Sequence, residues 1–448
     1  MQTKRIELSG WGRFPSTRQE VARPERYAGL RPAGNMFNLG RGMGRSYGDA
    51  ALCNDGVVIL TERVNRLLDF DAETGLLHAE AGVTLEDILR VFLPRGWFLP
   101  VTPGTRYVTL GGCLASDVHG KNHHHAGSFS NHVEAFELLT TTGERLHVTP
   151  ENNPEAFWAT AGGMGLTGMI GEIWLKLQRI ESAWMQVRHY TGENLDALFG
   201  LMADDTLDDD YSVAWIDCLA RGDQMGRGVL MTAHHAAAWS LDKKHKPFAQ
   251  PGRVQRALPF DLPGGLLNRL SVSAFNAIYY RRQARRDEYH DHLLHYFYPL
   301  DSIGHWNRMY GRRGFIQHQC VIPEDNALDG IKALLSVLQH YGLASFLAVL
   351  KRFGAGGSGH LSFPMPGYTL AVDLPISGDA ACRVAADLNA VVLEHGGRVY
   401  LAKDACLAPD EFRAMYPRYP EWLDIKRQLD PDGYMRSDLG VRLRIGEP

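Results

Sequence analysis

None of the six cysteines (Cys53, Cys113, Cys218, Cys320, Cys382, Cys406) stands in a C-x-x-C pair. Their scatter argues against a disulfide framework and against a cysteine-rich zinc site. The sequence has no apolar run of about 18 residues, so no membrane-spanning helix is expected. The opening MQTKRIELSGWGRFP lacks the apolar stretch of a secretory signal. The expected location is therefore cytoplasmic, or peripheral at the inner membrane. Nor is there a basic excess: the formal net charge is -4, which removes the electrostatic case for nucleic acid. No Gly-Lys-Ser/Thr follows any glycine loop, so a Walker A nucleotide site is excluded.

What is present is a chain of 448 residues with 45% hydrophobic and 22% charged content. That is too long for one ordinary core and typical of a globular protein with two domains or one large split domain. Nine Trp, 17 Tyr and 18 Phe supply large core side chains and rings that could stack on a cofactor.

Glycine is concentrated in three places. The first is Gly40-Arg41-Gly42-Met43-Gly44-Arg45-Ser46-Tyr47-Gly48, whose alternating glycines suit a turn with inward-pointing amides, an anion cradle. The second is VTPGTRYVTLGGCLASDVHGKNHHHAGSFSNH, from Val101 to His132. It combines a Pro-Gly turn, bare backbone at Gly111 and Gly112, and the polar groups Asp117, His119, Lys121 and Asn122. The third, Gly163-x-Gly165-x-x-Gly168, is formally a dinucleotide fingerprint. A Rossmann fingerprint follows a strand and opens a helix. Here a helix-like segment, 154–161, precedes it and a strand-like segment, 169–177, follows. The glycines therefore read as a close-approach loop, and a Rossmann NAD site is rejected.

Between these loops, Thr84 and Asp87 fit an N-cap with its acidic partner for a helix over 84–93. Residues 133–148 read as a β-hairpin about Thr142-Gly143-Glu144. Beyond about 181 the texture becomes strand-rich, and 379–395 reads as an amphipathic helix stopped by Gly396-Gly397. The segment Trp239 to Leu270 is unusual: Lys243, Lys244 and Lys246 precede apolar residues broken by Pro247, Pro251, Pro259 and Pro263. It reads either as a mobile surface loop or as a lid in peripheral contact with a membrane, using the three lysines with Leu258, Phe260, Leu262, Leu266 and Leu267.

The ordered motifs GRGMGRSYGDAAL, VTPGTRYVTLGGCLASDVHGKNHHHAGSFSNH and FWATAGGMGLTGMI resemble the FAD domain of vanillyl-alcohol-oxidase-type flavoproteins. Within that family the chain looks most like the polyprenylphosphoryl-ribose oxidases. The likeness continues through SVAWID, HWNRMYG, GFIQHQCVIP, AVLKRFG and VYLAKDACL, so it covers nearly the whole chain. It implies an α+β fold: a two-lobed FAD-binding domain over 1–180, a substrate domain on an antiparallel sheet over 181–396, and a tail, 397–448, returning to the FAD domain. It implies FAD held by Arg41, Gly42, Met43, Gly44, Arg45, Ser46 and Tyr47. It extends that set to Gly104, Thr105, Thr109, Gly111, Gly112, Ser116, Asp117, His119, Ile170 and Tyr400. Relatives with covalent flavin commonly have His after the glycine of the first loop. Arg45 stands there, so the flavin is expected to be noncovalent.

The implied reaction oxidises a secondary alcohol on a lipid-phosphate-linked sugar, with an NAD-dependent short-chain reductase as partner. Removing the hydroxyl proton needs a titratable group. Lys403 is the first candidate, His119 the second, and Tyr47 lies with them in the resemblance. Lys121, Trp215, Tyr310, Gln317, Gln319 and Lys351 are the expected substrate-pocket residues, Gln317 and Gln319 being spaced to share one strand face. Trp306 is a further wall candidate. No metal is expected, because adjacent histidines on an extended loop cannot all converge and no carboxylate or Cys pattern supports zinc. Mycobacterial members carry Cys where this chain has Ala371. The alternative readings are a flavin oxidase of a soluble sugar, polyol or aldonolactone, and a non-catalytic binding protein with a decayed flavin domain.

Overall fold

A computed structural model describes residues 2–447 except 33–34, 208, 244, 250–255, 264–267, 344, 346 and 376–377. The architecture is α+β, with two small lobes and a larger antiparallel sheet. In the first lobe Ser16–Ala22, Gly56–Leu60 and Phe37–Arg41 pair in parallel, with Lys4–Ser9 antiparallel at one edge. The run GVVIL of Gly56–Leu60 is buried from Val57 to Leu60, as a strand covered on both faces requires.

The second lobe is a five-stranded antiparallel sheet in the order Leu67–Asp71, Leu76–Glu80, Met169–Lys176, Val133–Leu139, Arg145–Val148. The hairpin read from sequence is there, with Leu139 opposite Arg145. Helix Leu85–Phe92 starts at the expected cap: Thr84 Oγ1 accepts from the Asp87 amide, and Asp87 accepts from the Thr84 amide. Its Leu85, Ile88, Leu89 and Phe92 are buried, the spacing of one helix face. Helix Pro154–Thr160 precedes the third glycine loop and strand Met169–Lys176 follows it, the reverse of a Rossmann unit.

The large sheet has eight strands in the order Glu288–His292, Trp184–Gly192, Gly228–His235, Tyr211–Ile216, Ala348–Phe353, Gly367–Leu374, Ile316–Pro323, Arg398–Val399. Helices Ala327–His340 and Asp379–Glu394 pack on it, the second ending at Gly396 with φ +70°. After Arg398–Val399 the chain turns back. The Asn38 amide donates to Tyr434 O (2.7 Å), and the Arg436 amide to Asn38 O (3.0 Å). Trp422 Nε1 donates to Ala159 O (2.8 Å) from a fully buried position. The tail is thus stitched to both small lobes.

Two expectations are corrected and one element is added. Cys382 and Cys406 form a disulfide across 24 residues, with Cα atoms 5.1 Å apart. Their sequence distance hid the pairing; helix Asp379–Glu394 packs on helix Pro409–Met415, just beyond Cys406, and brings them together. Second, Trp239–Leu270 is not loose throughout. Arg256–Ala257 pairs with Ile303–Gly304, Leu262 N donates to Arg308 O (3.0 Å), and Asp261 meets Arg13 (2.6 Å). Lys244, Pro251, Leu266 and Leu267 lie outside the described residues. A helix not read from the sequence, Arg269–Gln283, follows that segment.

Candidate active site

One cavity takes its walls from both lobes, the large sheet and the returning tail. All three glycine loops reach it: Gly40 to Tyr47, the segment from Pro103 to His119, and Met164 to Ile170. The first loop packs against the second without room for a side chain at Gly42. A Cβ on Gly42 would lie 2.2 Å from Thr109 Oγ1, the hydroxyl that caps helix Leu110–Ala115. Gly44 sits at φ +61°, and a Cβ there would strike the Arg41 guanidinium. Arg41 is itself buried, donating to Ser9 O (2.7 Å) and Ala51 O (2.9 Å), so it braces the loop from behind. Arg45 faces the cavity with its guanidinium 4.0 Å from the Trp11 ring centre and Nε donating to Tyr107 O (3.2 Å). Bare backbone edges with one fixed cation fit a large anionic cofactor.

The other end is polar. His119 is 7% exposed and T-shaped against Phe353. Gln319 Nε2 lies 3.0 Å from its Nε2, and Lys351 Nζ lies 3.0 Å from its Nδ1. Burial, helped by the nearby Lys403 charge, brings Lys351 down to about 7. Burial and the Lys351 and Lys403 charges hold His119 well below the usual imidazole range. Lys403 lies 3.9 Å from the Tyr47 ring centre; burial lowers it to about 8, against the opposing pull of Asp373. Lys121 donates to Tyr296 O and sits 3.8 Å from that ring centre, brought down to about 7 by burial and then by Lys351.

Behind these groups stands a carboxylate that the sequence reading passed over. Asp373 is fully buried and accepts from Tyr310 Oη (2.9 Å) and from Gln317 Nε2. Burial raises it to about 6. Gln317 lies opposite Asp373 across adjacent strands, which explains the contact. An Asp in the apolar strand sequence LAVDLP was the available signal.

Most expected residues gather here: Arg41 to Tyr47, Gly104, Thr105, Thr109, Gly111, Gly112, Ser116, His119, Ile170, Gln317, Gln319, Lys351, Tyr400 and Lys403 all line the cavity, as does Trp306. Four do not. Asp117 is buried in the loop behind it, accepting from Ser130 N (3.1 Å) and Ser362 Oγ. Tyr310 stacks on Phe315 (3.9 Å) and donates to Asp373 (2.9 Å) behind the wall. Lys121 is held by Tyr296, off the wall. Trp215 packs 4.8 Å from Tyr279 of helix Arg269–Gln283. Wall residues missed in the sequence include Trp11, Leu300, Leu347 and Val349. The loop histidines do not converge: His123 Nε2 meets Ser128 Oγ (3.3 Å) and His132 Nε2 meets Ala126 O (2.9 Å). Among the described residues the one group with metal-ligand spacing is elsewhere, at Asp242, His245 and His290.

Residues 14–149 match the FAD binding domain family. Over 454 aligned residues the chain is 38% identical to decaprenylphosphoryl-β-D-ribose oxidase of Mycolicibacterium smegmatis, covering 99% of this chain and 98% of that protein. The chain belongs to the decaprenylphosphoryl-β-D-ribose oxidase family. It is an FAD-dependent oxidoreductase with an α+β, two-lobed fold. It is also 35% identical to an uncharacterised Streptomyces coelicolor protein, over 81% of this chain and all of that one. Likeness to bovine L-gulonolactone oxidase, 33% identical, spans 29% of each chain.

Within the decaprenylphosphoryl-β-D-ribose oxidase family this chain's Ala371 is a useful handle. It lines the cavity, opposite Val349 and Gln319 on the flanking strands. Ala371→Cys keeps the oxidation, since Cys is a small apolar residue that adds no charge. It also places a thiol in the wall. Intact-mass analysis after a small electrophile should find one adduct, at position 371. Wild type should carry none there, its free cysteines 53, 113, 218 and 320 all being buried.

Proposed function

We propose that this chain oxidises the 2'-hydroxyl of a polyprenylphosphoryl-β-D-ribose to the 2'-ketone, the first half of an epimerisation toward the arabinose donor of cell-wall polysaccharide. The observation that carries this reading is the pair Lys351 and Lys403 about His119 on the cavity wall. Burial lowers both amines below the usual lysine range, and as charged groups they repel one another. An anionic, phosphate-bearing substrate relieves that repulsion; a neutral polyol does not. The relative matched along nearly its whole length is named for a substrate of this class.

Bound FAD supplies a hydride acceptor. The chain's own residues do the rest. Lys351 and Gln319 fix the polar part of the substrate by hydrogen bonds, and His119 holds both in place. Lys403 takes the hydroxyl proton as its free base, on the face of Tyr47. Asp373 sets the charge behind Lys403 through its field. Domain limits at 1–180, 181–396 and 397–448 follow the glycine loops, the large sheet and the returning tail. The ketone then needs hydride return by an NAD-dependent short-chain reductase, the proposed partner. A soluble-sugar oxidase has less support, because the likeness to lactone oxidases covers less than half of the chain.

Anaerobic bleaching of the bound flavin tests the reading. A lipid-phosphoryl ribose should bleach it within one turnover, and free ribose, polyols and lactones at equal concentration should not. Bleaching by the soluble compounds alone would move the assignment to them.

FAD is held without a covalent bond in this proposal. Arg45 cannot make one, His119 spends both ring nitrogens on Gln319 and Lys351, and no cysteine is among the wall residues described. Acid precipitation should leave all the yellow colour in the supernatant. Colour in the pellet after detergent washing would overturn it.

A further inference from the structure

We propose that helix Arg269–Gln283 is the element that seats this protein on an anionic lipid surface; this rests on the lipid-linked substrate proposed above. Five large apolar side chains stand exposed in one region of the sequence: Trp239, Phe260, Leu270, Phe275 and Ile278. Three are on this helix, Leu270 at 83%, Ile278 at 67% and Phe275 at 45% exposed. Leu270, Ala274, Ile278, Arg281 and Arg285 follow at intervals of four, four, three and four, one continuous stripe. The opposite stripe, Val272, Asn276 and Gln283, is buried, with Asn276 donating to Asp217 (2.8 Å).

Charge selects the partner. From Arg269 to Arg286 there are five arginines, Arg269, Arg281, Arg282, Arg285 and Arg286, and no acid, in a chain whose net charge is -4. Of the acids that follow, Glu288 is held by Arg188 (3.2 Å). Exposed apolar groups that run into guanidiniums on one face suit a bilayer interface carrying negative headgroups. The helix is also tied to the site. Tyr279 packs on Trp215, and Trp215 is opposite Val349, a cavity wall residue on the neighbouring strand. Opposed residues on paired strands share a sheet face. The docking helix therefore lies on the face of the sheet that bounds the cavity.

The test is vesicle co-sedimentation of the FAD-loaded full chain, using phosphatidylcholine alone and phosphatidylcholine with phosphatidylglycerol, at low and high salt. Wild type should partition onto the anionic vesicles and be released by salt. Arg281→Glu/Arg282→Glu/Arg285→Glu should lower that partition by more than about tenfold, as should Leu270→Ser/Ile278→Ser by at least about threefold. Lys243→Glu/Lys246→Glu, the same charge change in the preceding loop, should lower it less than the arginine variant. Flavin absorbance reports folding, and exposed sites make loss of it unexpected. Absence of partition on either vesicle, as for a helix that docks a protein, overturns the inference. So does an arginine variant that sediments like wild type, or a loss confined to the lysine variant. No substrate enters this assay, so it can fail while lipid-phosphoryl ribose still bleaches the flavin, and the reverse.

Discussion

Lys403→Ala should keep its FAD and reduce it about 10²–10⁴-fold more slowly, the usual loss for one proton-transfer group. Retention follows from where Lys403 acts. Its backbone bonds are local, from its amide to Tyr400 O, and the tail is held to the first glycine loop by the neighbouring pair, Tyr47 N to Ala402 O (3.0 Å). Only the amine reaches the Tyr47 ring and the cavity. The wild-type pH profile gives the sign. A base must be unprotonated, and burial has brought Lys403 down to about 8. Flavin reduction should therefore rise tenfold per pH unit below about 8 and level off above it. In Lys403→Ala that limb should vanish. Stopped-flow reduction against pH measures both; a variant with near-normal rates and the same limb would make Lys403 structural.

Arg442→Ala should destabilise the holoenzyme by roughly 3 kcal/mol, the low end for breaking a buried ion pair from one side because Arg442 keeps some exposure. Arg442 donates to Asp49 by Nε (2.8 Å) and Nη2 (2.7 Å), to Asp404 by Nη2 (2.8 Å) and to Leu407 O (2.7 Å). The two carboxylates are 8% and 4% exposed, so without the guanidinium two like charges face each other out of water. Asp404 follows Lys403 directly and accepts from the Cys406 and Leu407 amides (2.8 Å each). Loosening it loosens the turn that aims Lys403. Thermal release of flavin fluorescence should fall by several degrees and flavin reduction should slow. Arg442→Lys should recover part of each, since one ammonium replaces the charge but not the fork. An unchanged release temperature would show that the cluster contributes nothing.

Local signals carried the readable part of the fold. The Thr84 cap, the hairpin at Gly143 and the order of helix and strand about Gly163 to Gly168 each depend on neighbours in sequence, and each stands as read. The first glycine loop was legible as a close approach because any other residue at Gly42 would bring a Cβ to 2.2 Å from Thr109 Oγ1. Helix Arg269–Gln283 was not legible: its apolar residues are split between the buried stripe and an exposed one, which blurs the period that marks a helix. The Cys382–Cys406 bond and the Trp215–Tyr279 contact depend on long-range packing, which no spacing records. Asp373 was visible as a carboxylate in an apolar strand, but its partners Tyr310 and Gln317 come from 63 and 56 residues away.

The central claim is that hydride leaves the ribose 2' carbon of a lipid-phosphoryl sugar while Lys403 takes the hydroxyl proton. Anaerobic flavin reduction by polyprenylphosphoryl ribose deuterated at that carbon tests it most directly. The account predicts several-fold slower bleaching with 2'-deuterium, no change with 3'-deuterium, and one deuterium lost from the sugar. Equal rates with both labels, or a slowing with the 3' label alone, would contradict it.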